Sequence, residues 1–206
     1  MLEQTRDNLC VVVGLPDIIS DFKESQRGIT PALYYDTTFN MGDFYVSTLL
    51  YRHTVFVNAP VMPLLMLLHE RRTTASHELL FRWLERLTGI ENAVFVVDRE
   101  TAITNAIRKT MPLHTVVYCW NHIIGDVRAW VKGNCGNSAD EQFYAGSIRE
   151  LLAADTPAEH DERLENARSR WSSAFVDYYD GHLAAAVTSS AQLTIRQVTY
   201  LVHDQH

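Results

Sequence analysis

The chain has 206 residues, with 18 Lys+Arg against 25 Asp+Glu for a net charge of −7, and 47% of its side chains are hydrophobic. That hydrophobic share excludes a disordered chain and, at this length, predicts one core-forming domain, alone or with an appendage. The longest apolar run, Ala59 to Leu68, falls far short of the ~20 residues of a membrane span. The first residues, Met-Leu-Glu-Gln-Thr-Arg-Asp, lack the basic and apolar regions of a secretory signal. Three cysteines (Cys10, Cys119 and Cys135) are too few for a disulfide scaffold, so the expectation is an intracellular protein.

An acidic total argues against a surface that embraces nucleic acid, but its location matters more than its size. Residues 1–136 carry 13 basic and 14 acidic side chains, whereas residues 137–182 carry 4 and 10. The texture also changes there: Gly133-Asn134-Cys135-Gly136-Asn137-Ser138 reads as a loop, and polar helical sequence follows. The expected organisation is an N-terminal edge strand and linker over 1–28, a core over 29–132, and a helical insertion over 139–206.

In chain order, Cys10 to Val13 predicts an edge strand closed by Gly14, before a Lys/Glu/Gln-rich helix or loop. Ile29 to Asp36 reads as a strand ending at Asp36, and Phe44 to Val57 as a second after the turn residues Gly42-Asp43. Val61 to His69 makes a third, so an antiparallel meander is expected. Leu80, Trp83, Leu84 and Leu87 then follow helical spacing, with Thr73, Thr74 or Ser76 as N-cap and Gly89 as the C-terminal stop. Ala93 to Val97 is a continuous apolar strand, the signature of burial on both faces. A helix from about Glu100 to Lys109, a fifth strand from His114 to Cys119, and a helix marked by Ile123, Val127, Trp130 and Val131 complete the core. The order β-β-β-α-β-α-β-α predicts a mixed five-stranded α/β sheet, the order of the ribonuclease H-like fold.

Two acids occupy informative places. Asp36 closes the first core strand and Asp98 follows the fourth directly; if those strands are neighbours, both carboxylates emerge at one edge. Paired Asp oxygens suit Mg²⁺ or Mn²⁺, and a two-ion site supports phosphodiester cleavage. Asp98 alone equally suits the N-cap of the following helix, and Asp36 a turn.

Tyr35-Asp36-Thr37-Thr38-Phe39-Asn40-Met41-Gly42 resembles the Asp-x-Thr-Phe signature of the Mutator-like element (MULE) transposase domain. Val96-Val97-Asp98-Arg99-Glu100-Thr101-Ala102 is similar to its second block, and His114 to His122, with Cys119-x-x-His122, to its third. The resemblance implies a DDE-type transposase core that cuts and joins DNA with two Mg²⁺ or Mn²⁺ ions, Asp36 and Asp98 being the first two catalytic and metal-holding acids. It implies transposon ends and target DNA as partners, a homo-oligomer, no membrane, and a nuclear or otherwise intracellular setting. Cys119 and His122 would be structural, DNA-contacting, or half of a Zn²⁺ site, with Cys135, His114, His203 and His206 as further ligands. A buried Cys and a helix-capping His account for the same spacing.

The pattern departs from the family at the third acid. No Glu-containing block is evident after the helical stretch, and Asp126 is the alternative, a helix position that also suits a solvent-facing side chain. Arg52, Arg71, Arg72, Arg108 and Lys109 are candidate phosphate contacts, or ordinary surface charges. The absent third acid keeps a second reading open: a transposon-derived, non-catalytic DNA- or protein-binding module.

Overall fold

The meander is built around a two-residue turn. Gly42 takes a left-handed φ of 65°, open to glycine without steric cost, and reverses the chain between β3 (Ala32–Met41) and β4 (Phe44–Arg52). The computed structural model describes residues 2–5, 8–134 and 138–194, with the backbone alone at 2–5, 8 and 38–41. β5 (Val61–His69) continues the antiparallel run, and β6 (Val94–Val97) pairs with β3 in parallel. With β1 (Leu2–Thr5), β2 (Asn8–Val13) and β7 (Thr115–Tyr118), the sheet order is β1-β2-β5-β4-β3-β6-β7.

The five expected core strands are all present, but the sheet has seven strands, not five. β2, expected at the edge of the sheet, pairs with β5 on one side and is covered on the other by β1. Two strand ends also differ. β3 does not stop at Asp36 but runs on to Met41, because β4 supplies a partner for those residues after the parallel partner has ended. β4 stops at Arg52 instead of Val57: Arg52 pairs with Val61, and His53 N–H donates to the Pro60 carbonyl at 2.9 Å. This closes the hairpin and leaves Val55, Phe56 and Val57 exposed in its loop despite their strand-like composition.

Two compact units divide the chain at Val116/Val117. In the first, one sheet face carries Leu33, Tyr35, Leu49, Tyr51, Leu65 and Leu67, all essentially inaccessible. Helix α1 (Pro16–Ser25) sets Phe22 edge-on against Tyr51, and α2 (Thr74–Thr88) sets Phe81 against Tyr35 and Phe95. α2 has the expected ends, Thr73 accepting from Ser76 N–H and Gly89 at a φ of 64°. Its buried stripe, however, is His77, Leu80, Phe81 and Leu84, and Trp83 is only partly covered. Helix α3 (Thr101–Thr110) packs Ile103, Ala106 and Ile107 inward.

The second unit is helical: α4 (Trp120–Asn134), α5 (Ser138–Leu152), α6 (Pro157–Arg170), and α7 (Ser173–Tyr178), which passes through a π-helical turn into α8 (Ala184–Ser190). Ile123, Val127, Ile148, Leu151, Trp171, Phe175 and Leu183 form its core. The sequence assigns α4 to the preceding core and ends that core near 133–138, a loop whose residues 135–137 lie outside the described residues. The structure buries α4 among the helices that follow it, since its apolar stripe meets theirs. Among the described residues no helix is long and apolar enough to cross a membrane.

Phe81 fills the space between two aromatic rings, 5.2 Å from Tyr35 and 5.4 Å from Phe95, with no surface exposed. Phe81→Ala is expected to cost about 3–5 kcal/mol in urea unfolding. A loss below 1 kcal/mol would show that α2 is not seated on the sheet as described.

Candidate active site

The position of the first acid follows from strand register. In the parallel pair Tyr34 lies opposite Val96 and Tyr35 opposite Val97, so the next residues along the two chains are Asp36 and Asp98. Neighbouring strands run about 4.8 Å apart, which brings residues 62 positions apart in sequence to one level of the sheet. Asp36 is therefore mid-strand, at the point where β3 loses its parallel partner. Directly beyond it, between Thr37 and Phe39, the pairing with β4 shifts register. Such irregularities re-aim side chains and commonly sit beside functional sites.

Asp98 lies two residues before Glu100, the N-cap of α3, and so is not itself that cap. Its Oδ1 accepts the Glu100 N–H at 2.9 Å, fixing the turn into α3, while Oδ2 lies 3.9 Å from Nη2 of Arg72. Arg72 also pairs with Oε2 of Glu100 and lies over the Tyr45 ring, 5.8 Å from its centroid. The Glu100 carboxylate holds the guanidinium pKa above its usual value. Sequence reasoning did not single out Glu100, which lies two residues beyond Asp98.

Behind the acids runs a buried polar chain that the sequence did not reveal. His69 Nδ1 is 2.8 Å from the Arg71 carbonyl and must donate to it, which leaves Nε2 to accept from Ser47 Oγ at 2.9 Å in the neutral ring. Ser47 Oγ in turn lies 2.7 Å from Thr37 Oγ1, so Thr37 donates. A second branch starts at Tyr35, whose hydroxyl is 2.8 Å from His77 Nδ1. His77 Nε2 is buried without a hydrogen-bond partner, 3.7 Å from Glu100 Oε1. A lone pair there would face a carboxylate, so the neutral ring carries its proton on Nε2 and accepts from Tyr35 at Nδ1. Burial lowers the pKa of both histidines, that of His77 to about 3, with the charges of His69 and Arg72 adding to the effect there. Burial also raises the Tyr35 phenol far above its ordinary value. The only sequence signal was positional: Ser47, His69 and His77 are polar residues on otherwise apolar faces.

The other candidates separate. Arg71 is exposed, and its carbonyl also accepts from Ser76 Oγ at 2.9 Å. Arg52 is exposed on the β4–β5 hairpin and reaches the Ala59 carbonyl at 3.4 Å. Arg108 and Lys109 lie at the far end of α3 from Asp98, roughly 15 Å along ten residues of helix, and Lys109 pairs with Glu78 at 2.8 Å. They do not join the acids, because the helix that starts at the site carries its last turn away from it.

In the second unit the Cys119 carbonyl accepts from His122 and Ile123 N–H, both at 3.1 Å, so the Cys-x-x-His pair spans the first turn of α4. Asp126 is exposed on the same helix. Of the other potential ligands, His114 is buried enough to lower its pKa, while Cys135, His203 and His206 lie outside the described residues. Among the described residues no three His, Cys, Asp or Glu side chains are grouped to hold a metal. Asp36 on β3 and Asp98 directly after β6 carry hard oxygen donors. That is the donor set Mg²⁺ takes when one or two carboxylates, water and substrate phosphate share its shell, so these residues fit such an ion.

Residues 32–126 match the MULE transposase domain. The match begins at the first residue of β3 and ends on α4, so Asp36, Asp98, Cys119 and His122 all lie inside the MULE segment. So do Ser47, His69, Arg72, His77 and Glu100. No curated protein matches the chain.

The neutral histidines predict an acid-sensitive fold. Below about pH 6.5 the unfolded chain takes up protons that buried His77 and His69 refuse, so stability falls with pH until the native pKa is reached, about 3 for His77. Each such histidine contributes a slope of up to about 1.4 kcal/mol per pH unit. Urea unfolding between pH 7 and 4 should show this loss, and His77→Asn should flatten it. An unchanged slope in that variant would place the titration elsewhere.

Proposed function

We propose that the segment matched by the MULE domain, residues 32–126, carries a ribonuclease H-like, DDE-type catalytic site that cleaves DNA strands and transfers them to target DNA, in a nuclear or otherwise intracellular setting. The observation that supports this reading is the parallel register of β3 and β6, whose last pair, Tyr35 with Val97, is followed on each chain by an aspartate within the MULE segment. The order β5-β4-β3-β6-β7, an antiparallel meander joined to a parallel strand, supports the ribonuclease H-like assignment.

In this reading Asp36 and Asp98 hold Mg²⁺ or Mn²⁺. A bound divalent ion would supply charge neutralisation at the scissile phosphate and activation of the attacking water or 3′-hydroxyl. The protein's own contribution is positioning. The register shift between Thr37 and Phe39 follows Asp36 along β3, and the Thr37–Ser47–His69 chain ties the neighbouring backbone to β4 and β5. The turn bond to Glu100 N–H holds one oxygen of Asp98 and leaves the other directed at the cluster. Arg71 and Arg72, at the end of β5, provide positive charge for DNA phosphates at the same edge.

The test is nicking and strand transfer on labelled duplex DNA with Mg²⁺ or Mn²⁺. Asp36→Asn and Asp98→Asn should each lower the rate at least about a hundredfold, since several kcal/mol of transition-state stabilisation is at stake. Far-UV circular dichroism should remain unchanged. Equal nicking by wild type and both variants would refute the site. DNA binding with no cleavage under either metal would point instead to a non-catalytic binding module.

A further inference from the structure

We propose that Arg72 is a built-in counter-ion of the acid cluster, which a divalent cation must displace and which is then released toward substrate phosphate. This rests on the reading of Asp36 and Asp98 as metal-holding acids, and extends it to residues outside that pair.

Three observations converge on Arg72. Its guanidinium pairs with Glu100 and lies 3.9 Å from Asp98 Oδ2, the oxygen that the turn into α3 leaves available. It lies over the Tyr45 ring, which favours a cation at that point. The third observation comes from beneath the cluster. His77 is wholly buried, and its unpartnered Nε2–H is aimed at Glu100 Oε1 from 3.7 Å. A buried donor without a bond is costly, so the cluster is not at its best-satisfied geometry in this state. A short shift of Glu100 toward His77 would complete that bond and loosen its hold on the guanidinium.

The charge balance explains why such a counter-ion is useful. Asp98 and Glu100 would repel one another beyond the end of β6 if nothing compensated them, and Arg72 supplies one positive charge to both. A divalent ion brings two and prefers the same hard oxygens. The Arg72 side chain is 42% exposed, so it has room to swing outward, and its fork suits a phosphate as well as a carboxylate.

Mn²⁺ binding to the full chain, followed by electron paramagnetic resonance without DNA, tests this. Removing the competitor in Arg72→Gln should tighten Mn²⁺ binding at least about fivefold, the value for unit charges about 4 Å apart screened as fully as in bulk water. Arg71→Gln removes an adjacent exposed charge and should leave the affinity within about twofold of wild type. With metal present, Arg72→Gln should also lower the salt dependence of duplex binding by about one phosphate contact. Unchanged or weaker Mn²⁺ binding by Arg72→Gln, or equal tightening by Arg71→Gln, overturns the counter-ion role while the metal reading stands. Mn²⁺ binding that is absent in wild type, or that survives both Asp36→Asn and Asp98→Asn, overturns the two together. Should Arg72→Gln fail to fold, Mg²⁺ titration of the wild-type chain decides. The guanidinium Nε–H resonance of Arg72 must shift in step with saturation, and a stationary resonance refutes displacement.

Discussion

The parallel pairing of β3 with β6 is the constraint on which the candidate site depends. Four residue pairs, from Ala32 with Val94 to Tyr35 with Val97, fix the register, and the next residue on each chain is an aspartate. A slip of one residue would turn an acid toward the helix-covered face and bring a valine or threonine to the edge. The register is held by burial. Leu33, Tyr35, Phe95 and Val97 are inaccessible, and each would have to exchange places with a more exposed neighbour. The apolar core beneath the sheet and the placement of the two carboxylates at its edge are thus set by the same contacts.

That core is not purely apolar. Thr37, Ser47 and His69 form one hydrogen-bonded chain, and Tyr35 and His77 form another, both beneath the acids. Buried polar groups are tolerable only when bonded, and here nearly every atom has a partner whose donor or acceptor role is forced by the next. The network links β3, β4, β5 and α2, four elements that meet under the site. His77 Nε2 is the exception, and it faces Glu100. The one unsatisfied atom of this network therefore lies at its junction with the charged cluster, where the arrangement of Arg72, Asp98 and Glu100 can change.

Much of the local structure was legible in the sequence because it depends on short-range rules. Val61–His69 has the bounds its apolar run suggested, and Thr73 and Gly89 cap α2 as their chemistry dictates. Errors arose where pairing partners decided the outcome. Val55, Phe56 and Val57 have strand composition but no partner, so they form a loop; residues 37–41 lie beyond the expected end of their strand but have a partner in β4, so they extend it. The helical spacing of Leu80 and Leu84 was correct, yet the stripe leans toward His77 and Phe81, because those residues meet Tyr35 across the sheet.

The same division holds for the site. The amino-acid order by itself determined that an aspartate follows or interrupts an apolar strand in two places, and that these blocks resemble a transposase core. Strand propensity, turn chemistry and motif spacing are properties of neighbours in the chain. Only the tertiary structure decided that Arg72 and Glu100 join Asp98 while Arg108 and Lys109 do not, and that three histidine-linked strands and a helix support the edge. The reason is geometric: helix direction and strand register convert sequence distance into spatial distance, so a charge 26 residues before Asp98 lies against it while charges ten and eleven residues after it are carried to the opposite end of a helix.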